Sequence, residues 1–175
     1  AFIFDFDGVV VDTEKYHYLS WVAAASHVGY DLGWEEYLPL KSTGNTEITQ
    51  YLCDHSGKEI SEELFQKMRD TKLVEFDRLV ADLSEKDVLP GIRDFLTWLN
   101  QQNVRTAVAS SSNTSSGLAK RFDLSKHFQA IIDGNMKLPR KPAPDTFLLA
   151  AKMLNVDPSE CIVFEDSLAG IQAAV

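Results

Sequence analysis

Two aspartates, Asp5 and Asp7, follow directly on the apolar run Ala1–Phe4, and Gly8 comes next. Three other polar sets occupy comparable places. Ser110, Ser111 and Ser112 follow Val104–Ala109, Lys141 stands in Arg140-Lys141-Pro142-Ala143-Pro144, and Glu165-Asp166-Ser167 follow Cys161–Phe164. Ligands of open α/β sheets bind outside the carboxyl ends of the strands, so residues behind apolar runs are the ones to read for chemistry. Gathered at one sheet edge, these sets would bring together four carboxylates, a hydroxyl and an ammonium. Four carboxylates in a low-dielectric cleft repel one another unless a divalent cation neutralises part of the charge. Their hard oxygen donors point to Mg²⁺. A carboxylate nucleophile beside the metal and the lysine could attack a phosphorus centre whose oxygens those cations hold, giving an aspartyl-phosphate. Asp5 is the expected nucleophile, and Asp7 is placed to handle protons. Gly8 would let the backbone turn sharply after the pair.

Each set alone has a plainer reading. Paired acids are common at turns, serine clusters form turns, a lysine among prolines is usually solvated, and Glu165 and Asp166 could cap the helix behind them. The conjunction carries the weight.

The four apolar runs Ala1–Phe4, Val104–Ala109, Ala130–Ile132 and Cys161–Phe164 read as buried strands of a parallel sheet. Helical patterns separate them. Ile92, Phe95, Leu96 and Leu99 recur at helical spacing within Gly91–Leu99, and Thr146–Leu154 is led by Pro142 and Pro144. The expected fold class is therefore α/β, a Rossmann-like parallel-sheet core. Between the first two strands lie roughly eighty residues with helical patterning and no convincing strand run, too long for a loop. They are expected to form an inserted helical domain over 14–87, leaving 1–13 and 88–175 as the core. The chain stops inside the apparent helix Leu168 to Val175 and lacks an initiator methionine, so it is expected to be a C-terminally truncated fragment.

Composition narrows the partners. Over 175 residues, 45% hydrophobic and 25% charged, the formal net charge is −9, and no basic run offsets it. Nucleic acid and anionic membrane surfaces are disfavoured. No apolar run approaches a membrane span, and Asp5 and Asp7 interrupt the opening run before it could serve as a signal-peptide core. Cys53 and Cys161 are far apart and form no metal-spaced pair, which suggests a reduced, cytoplasmic protein. The composition says nothing of oligomeric state.

The order Asp-x-Asp-Gly, serine after the second strand, Lys-Pro, then Glu-Asp resembles the haloacid dehalogenase superfamily across the whole chain. That resemblance implies Asp5 as nucleophile, Asp7 as general acid/base, and Ser110 and Lys141 as ligands of the transferring phosphoryl group. It implies Mg²⁺ held by Asp5, Asp166 and the backbone carbonyl of Asp7, with Glu165 as a further metal-site carboxylate. Dehalogenases of the superfamily generally lack the second aspartate, so Asp7 argues for phosphate esters. Asp-Gly-Val-Val-Val-Asp-Thr-Glu, the helical insertion, Leu-Pro-Gly and Lys-Pro-Ala-Pro-Asp resemble the β-phosphoglucomutase-like subgroup with its helical cap. A small phosphorylated metabolite, such as a sugar phosphate, is the partner this implies.

The same resemblance implies that His17, following Asp12-Thr13, works with a cap lysine, here Lys72, to couple cap closure to placement of the acid/base. Lys72 interrupts the stripe Phe65, Met68, Phe76, Leu79 and Leu83, so a snorkelling lysine is the alternative. Thr13, His17, Lys72, Ser111, Ser112 and Asn113 complete the expected substrate-side set. Specificity is expected in the loop Ser42 to Glu47. The mutases use a cap arginine and a Ser-Lys-Asn run, whereas this chain has no arginine near Thr43–Glu47 and reads Ser112-Asn113-Thr114. Each missing charge-assisted contact is worth about 1.5–3 kcal/mol, which weakens the case for mutase over phosphatase. Two other readings compete: a receiver-like phosphoacceptor module and a catalytically inactive fragment. Receivers, however, carry the accepting aspartate on a middle strand and have no large insertion after the first.

Overall fold

The computed structural model describes residues 1–41 and 43–175; Ser42, the first residue of the expected specificity loop, lies outside the described residues. Four short strands, β1 (Phe2–Phe4), β2 (Thr106–Ala109), β3 (Ala130–Ile132) and β4 (Ile162–Phe164), form a parallel sheet in the order β3-β2-β1-β4. Their register aligns the strand ends, with Phe4 opposite both Val108 and Phe164, and Ala109 opposite Ile132. The ladder continues one residue further, as Asp5 N–H donates to Phe164 O at 2.9 Å and Ser110 N–H to Ile132 O at 3.0 Å. The chain steps outward from β1 to β2 and β3, then returns to the other side of β1. Asp5 therefore emerges where the strand order reverses, the place where open sheets bind ligands.

Eight α-helices accompany the strands among the described residues: α1 (Glu14–Ala25), α2 (Trp34–Tyr37), α3 (Asn45–Ser56), α4 (Glu62–Val80), α5 (Ile92–Gln101), α6 (Ser115–Arg121), α7 (Asp145–Leu154) and α8 (Leu168–Ala174). Period-two alternation sorts the sheet's side chains between its faces. Ile3, Ala107, Ala109, Ala130 and Ile132 bury against Phe147, Ala150, Ala151 and Leu154 of α7, where the small strand residues let the helix approach closely. On the other face Phe4 stacks on Phe164, ring centroids 4.8 Å apart, and meets Phe95 of α5 edge-on at 6.1 Å. β3 matches its apolar run, whereas β1, β2 and β4 are shorter than theirs because pairing starts only at Phe2, whose N–H donates to Arg105 O at 2.8 Å.

The contacts divide the chain into two compact units, Ala1–Asp12 with Ser84–Val175, and Thr13–Leu83. The second holds α1 to α4. Ser61 starts α4 by accepting the Leu64 N–H at 3.1 Å, and the helix buries Met68, Lys72, Phe76 and Val80, spaced four residues apart along one face. Met68 joins Trp21, Ala24, Leu32, Ile48 and Leu52 in this unit's own core. Among the described residues no helix is long and apolar enough to cross a membrane.

Candidate active site

The sheet unit supplies a lysine and several acids at the carboxyl ends of its strands. Lys141 stands just ahead of α7, and its ammonium donates to Asp5 Oδ1 at 2.6 Å, Glu165 Oε2 at 2.7 Å and Ala109 O at 3.1 Å. All three ammonium protons are thereby used. The same nitrogen lies 4.5 Å from the Phe147 ring centroid, and its side chain is 8% exposed, so Lys141 is not the solvated lysine that its proline neighbours suggested. Asp5 is 7% exposed. Burial pushes its carboxyl from the ordinary 3.8 to about 8, against the lowering pull of Lys141 and with added repulsion from Glu165 and Asp7. Burial also works against the Lys141 ammonium, but Asp5 and Glu165 outweigh it and hold its pKa above the ordinary value.

Glu165 is fixed on its other side. Its Oε1 accepts from Ser167 N–H at 3.1 Å and from Ser167 Oγ at 2.6 Å. Ser167, in turn, accepts the Gly170 N–H at 3.0 Å and caps α8, so the capping role suggested for Glu165 and Asp166 falls to their neighbour. Gly170 is required for space: a Cβ there would lie 1.9 Å from Glu165 Cδ. Asp166 is exposed and sits against Gly8, where φ is +82° and a Cβ would lie 2.6 Å from Asp166 Oδ2. The glycine after the aspartate pair thus permits both the left-handed turn and the approach of the second acid. Asp5, Glu165 and Asp166 each offer a carboxylate oxygen within 4.8 Å of the others. Three hard anionic donors converging on one point suit a divalent cation of the Mg²⁺ type.

The Asp7 carboxylate faces elsewhere, its Oδ2 accepting from Ser110 Oγ at 3.3 Å. Ser110 is buried and accepts the Ser112 N–H at 3.0 Å and the Ser115 hydroxyl at 2.8 Å. Ser115, the first residue of α6, is a supporting residue that the sequence pattern did not mark. Ser112 and Asn113 both act through the turn: Ser112 O accepts from Gly134 N–H at 3.0 Å, and Asn113 O accepts from Asn135 Nδ2 at 2.9 Å. Ser111 lines a pocket of about 340 Å³ together with Ser110 and Asn113.

The remaining expected residues belong to the helical unit. Lys72 Nζ lies 3.3 Å from His17 Nδ1 and 4.6 Å from the Phe76 ring centroid, while the His17 ring stacks on Phe76 at 4.1 Å. Lys72 is 7% exposed, so its ammonium turns to the histidine instead of snorkelling to water. Burial, then the Lys72 charge, hold His17 well below its ordinary 6.5, leaving a neutral imidazole whose Nδ1 lone pair faces the ammonium. Thr13 is fully buried, and its carbonyl accepts from Tyr16 and His17 N–H at 3.0 and 3.1 Å.

Fold and site together define an α/β enzyme with a carboxylate centre at the switch point of a parallel sheet and a helical insertion behind the first strand. The chain belongs to the haloacid dehalogenase-like hydrolase family, whose model matches residues 1–175. It is 34% identical over 175 residues to the beta-phosphoglucomutase of Bacillus subtilis (strain 168), covering 99% of this chain and 77% of that protein. To the fructose-1-phosphate phosphatase YqaB of Escherichia coli (strain K12) it is 29% identical over 172 residues, covering 98% of this chain and 89% of the relative. The crystal structure of beta-phosphoglucomutase from Clostridium difficile superposes with a TM-score of 0.85 at 34% identity, covering 99% of this chain and 79% of that one.

Proposed function

We propose that this enzyme transfers the phosphoryl group of a small phosphorylated metabolite, a sugar phosphate, through an aspartyl-phosphate on Asp5, with Mg²⁺ as cofactor. The observation that carries the reading is the Lys141 ammonium held between Asp5 and Glu165 beside the Asp7–Ser110 pair. The relatives support the substrate class, since the names of two of them specify phosphorylated sugars. Both cysteines are free, in keeping with a reducing cytoplasmic setting.

Asp5, Asp166 and the Asp7 carbonyl would hold the metal, with Glu165 at its edge because both Glu165 oxygens already accept hydrogen bonds. The carboxyl of Asp5 standing near pH 8 fits this role, because Lys141 alone does not offset the burial and the neighbouring acids. Bound Mg²⁺ supplies positive charge that keeps Asp5 ionised and draws electron density from the phosphoryl oxygens. In the first step an Asp5 oxygen forms a bond to phosphorus as the ester oxygen leaves, and Asp7 gives that oxygen its proton. Lys141 and Ser110 bind the oxygens of the group in flight. Asp7 then takes a proton from the acceptor hydroxyl, which attacks phosphorus and frees Asp5. Water as acceptor gives hydrolysis; a sugar hydroxyl gives isomerisation.

The test is incubation with Mg²⁺ and β-glucose 1-phosphate primed by glucose 1,6-bisphosphate, followed by a panel of other sugar phosphates. Glucose 6-phosphate marks a mutase and free phosphate a phosphatase, while unchanged substrate throughout would overturn the proposal. The metal has a separate signature. Because burial raises the Asp5 carboxyl to about 8, Mg²⁺ should displace a proton on binding and should bind more weakly as pH falls below that value. Calorimetry at pH 7 in two buffers of different ionisation enthalpy measures that proton, and a pH-independent affinity would contradict the assignment.

A further inference from the structure

We propose that the pocket beyond Ser110 is a subsite for a second anionic group, carboxylate or phosphate, with Lys137 and Arg140 as its cationic wall. The proposal rests on the phosphoryl-transfer reading only in calling the ligand a substrate.

The pocket, about 340 Å³, lies between the segments that follow β2 and β3, and is lined by Ser110, Ser111, Asn113, Lys137 and Arg140 among others. That volume suits part of a small metabolite. Ser110 connects it to the reaction centre, because the hydroxyl on its wall is the one that donates to Asp7. A group bound here is therefore a neighbour of the phosphoryl site.

Its charge is unusual for this protein. The chain carries a formal −9, and its described ion pairs place arginines and lysines against acids, whereas neither Lys137 nor Arg140 pairs with any described residue. The acid in the lining, Asp133, is occupied by the Ser116 hydroxyl and by Asn135 N–H at 3.0 Å. Two cations with free donors thus face a concave polar surface, and Arg140 brings the planar fork that matches a carboxylate or phosphate.

The backbone supports the same conclusion. Four non-glycine residues among those described have positive φ, and three of them, Asn103, Asp123 and Asn155, are types that tolerate it. The fourth is Lys137 at +55°, a left-handed conformation that strains a lysine and would not strain a glycine. Strain kept at a cation on a pocket wall points to use of that cation. The wall is also firmly seated: a Cβ on Gly134 would lie 2.5 Å from Ser111 O, so the two segments pack backbone to backbone.

The test measures binding without turnover, using the full chain with Asp5→Asn and Mg²⁺ in a calorimeter. One arm compares 3-phosphoglycerate with glycerol 3-phosphate, and the other fructose 1,6-bisphosphate with fructose 6-phosphate. At least one doubly anionic ligand should bind about tenfold more tightly than its comparator, and the arm that responds identifies the second group. Adding Lys137→Ala and Arg140→Ala should erase that preference, and the exposed control Lys152→Ala should keep it. No preference in either arm, or a preference that survives the double substitution, overturns the subsite. If the preference is seen but wild type hydrolyses or isomerises no phosphate ester, the subsite stands and the phosphoryl-transfer reading fails.

Discussion

Asp5→Asn should lower turnover of a small phosphate ester by roughly 10⁴-fold or more, the scale on which removal of a nucleophile acts. The fold should survive. Asparagine keeps the shape of the side chain, removes a carboxyl that burial already pushes to about 8, and leaves Glu165 and Ala109 O to hold the Lys141 ammonium. A melting temperature within a few degrees of wild type, together with lost phosphate release, would separate a chemical defect from an unfolded one. Retention of a tenth of the activity would remove Asp5 as the nucleophile.

Lys141→Ala should be the most damaging single change to stability in the site. Its ammonium lies between two carboxylates whose side chains are 10% and 4% exposed, and stripping one partner from a buried ionic cluster costs about 3–5 kcal/mol. The acids can relieve part of that cost by taking up protons, and this fixes the sign of the pH dependence. A carboxyl whose folded-state pKa is raised above its unfolded value contributes stability at low pH that is lost as pH rises through the folded value. Asp5 already stands near 8 with its lysine in place, so without it the deficit should be larger at pH 8.5 than at pH 6. Urea midpoints of wild type and variant in EDTA at those two pH values measure it. A deficit that shrinks as pH rises would show that Lys141 is not the counter-charge of this cluster. Phosphate release should fall with it, since the same ammonium is proposed to bind the phosphoryl group.

Much of this site was legible because its residues follow directly on buried strands. Phe4 and Phe164 end β1 and β4 level with each other, Ala109 ends β2 one residue further on, and the residues that follow are Asp5, Glu165 and Ser110. Apolar runs announce such strands, and in a parallel sheet the following residue has only one edge at which to emerge. Lys141 was legible as a candidate but not as a buried group, because burial depends on Phe147 and Ala109 O, which are distant or silent in the pattern. Ser115 and Gly170 were not marked at all, and Ser167 stood only as the last member of the Glu165-Asp166-Ser167 run. Their work is to hold Ser110 and Glu165 in place, and a hydroxyl or a missing Cβ acquires that meaning only once helices α6 and α8 are packed. The pairing of His17 with Lys72 rested on resemblance, since 55 residues separate them and no spacing rule joins positions on two different helices. Nothing in the sequence pattern singled out Lys137, and Arg140 stood there only as the neighbour of Lys141; the pocket between the segments after β2 and β3 is what brings them together.

Chemical trapping at residue 5 bears most directly on the aspartyl-phosphate. The protein would be mixed with Mg²⁺ and a turned-over sugar phosphate, quenched in acid within the first turnovers, reduced with borohydride and mapped by peptide mass spectrometry. An acyl phosphate on Asp5 is reduced to homoserine, so the expected result is that conversion at position 5 alone, dependent on substrate and absent after Asp5→Asn. Full turnover with position 5 unmodified, or conversion at Asp7 or Asp166 instead, would contradict phosphoryl transfer through Asp5.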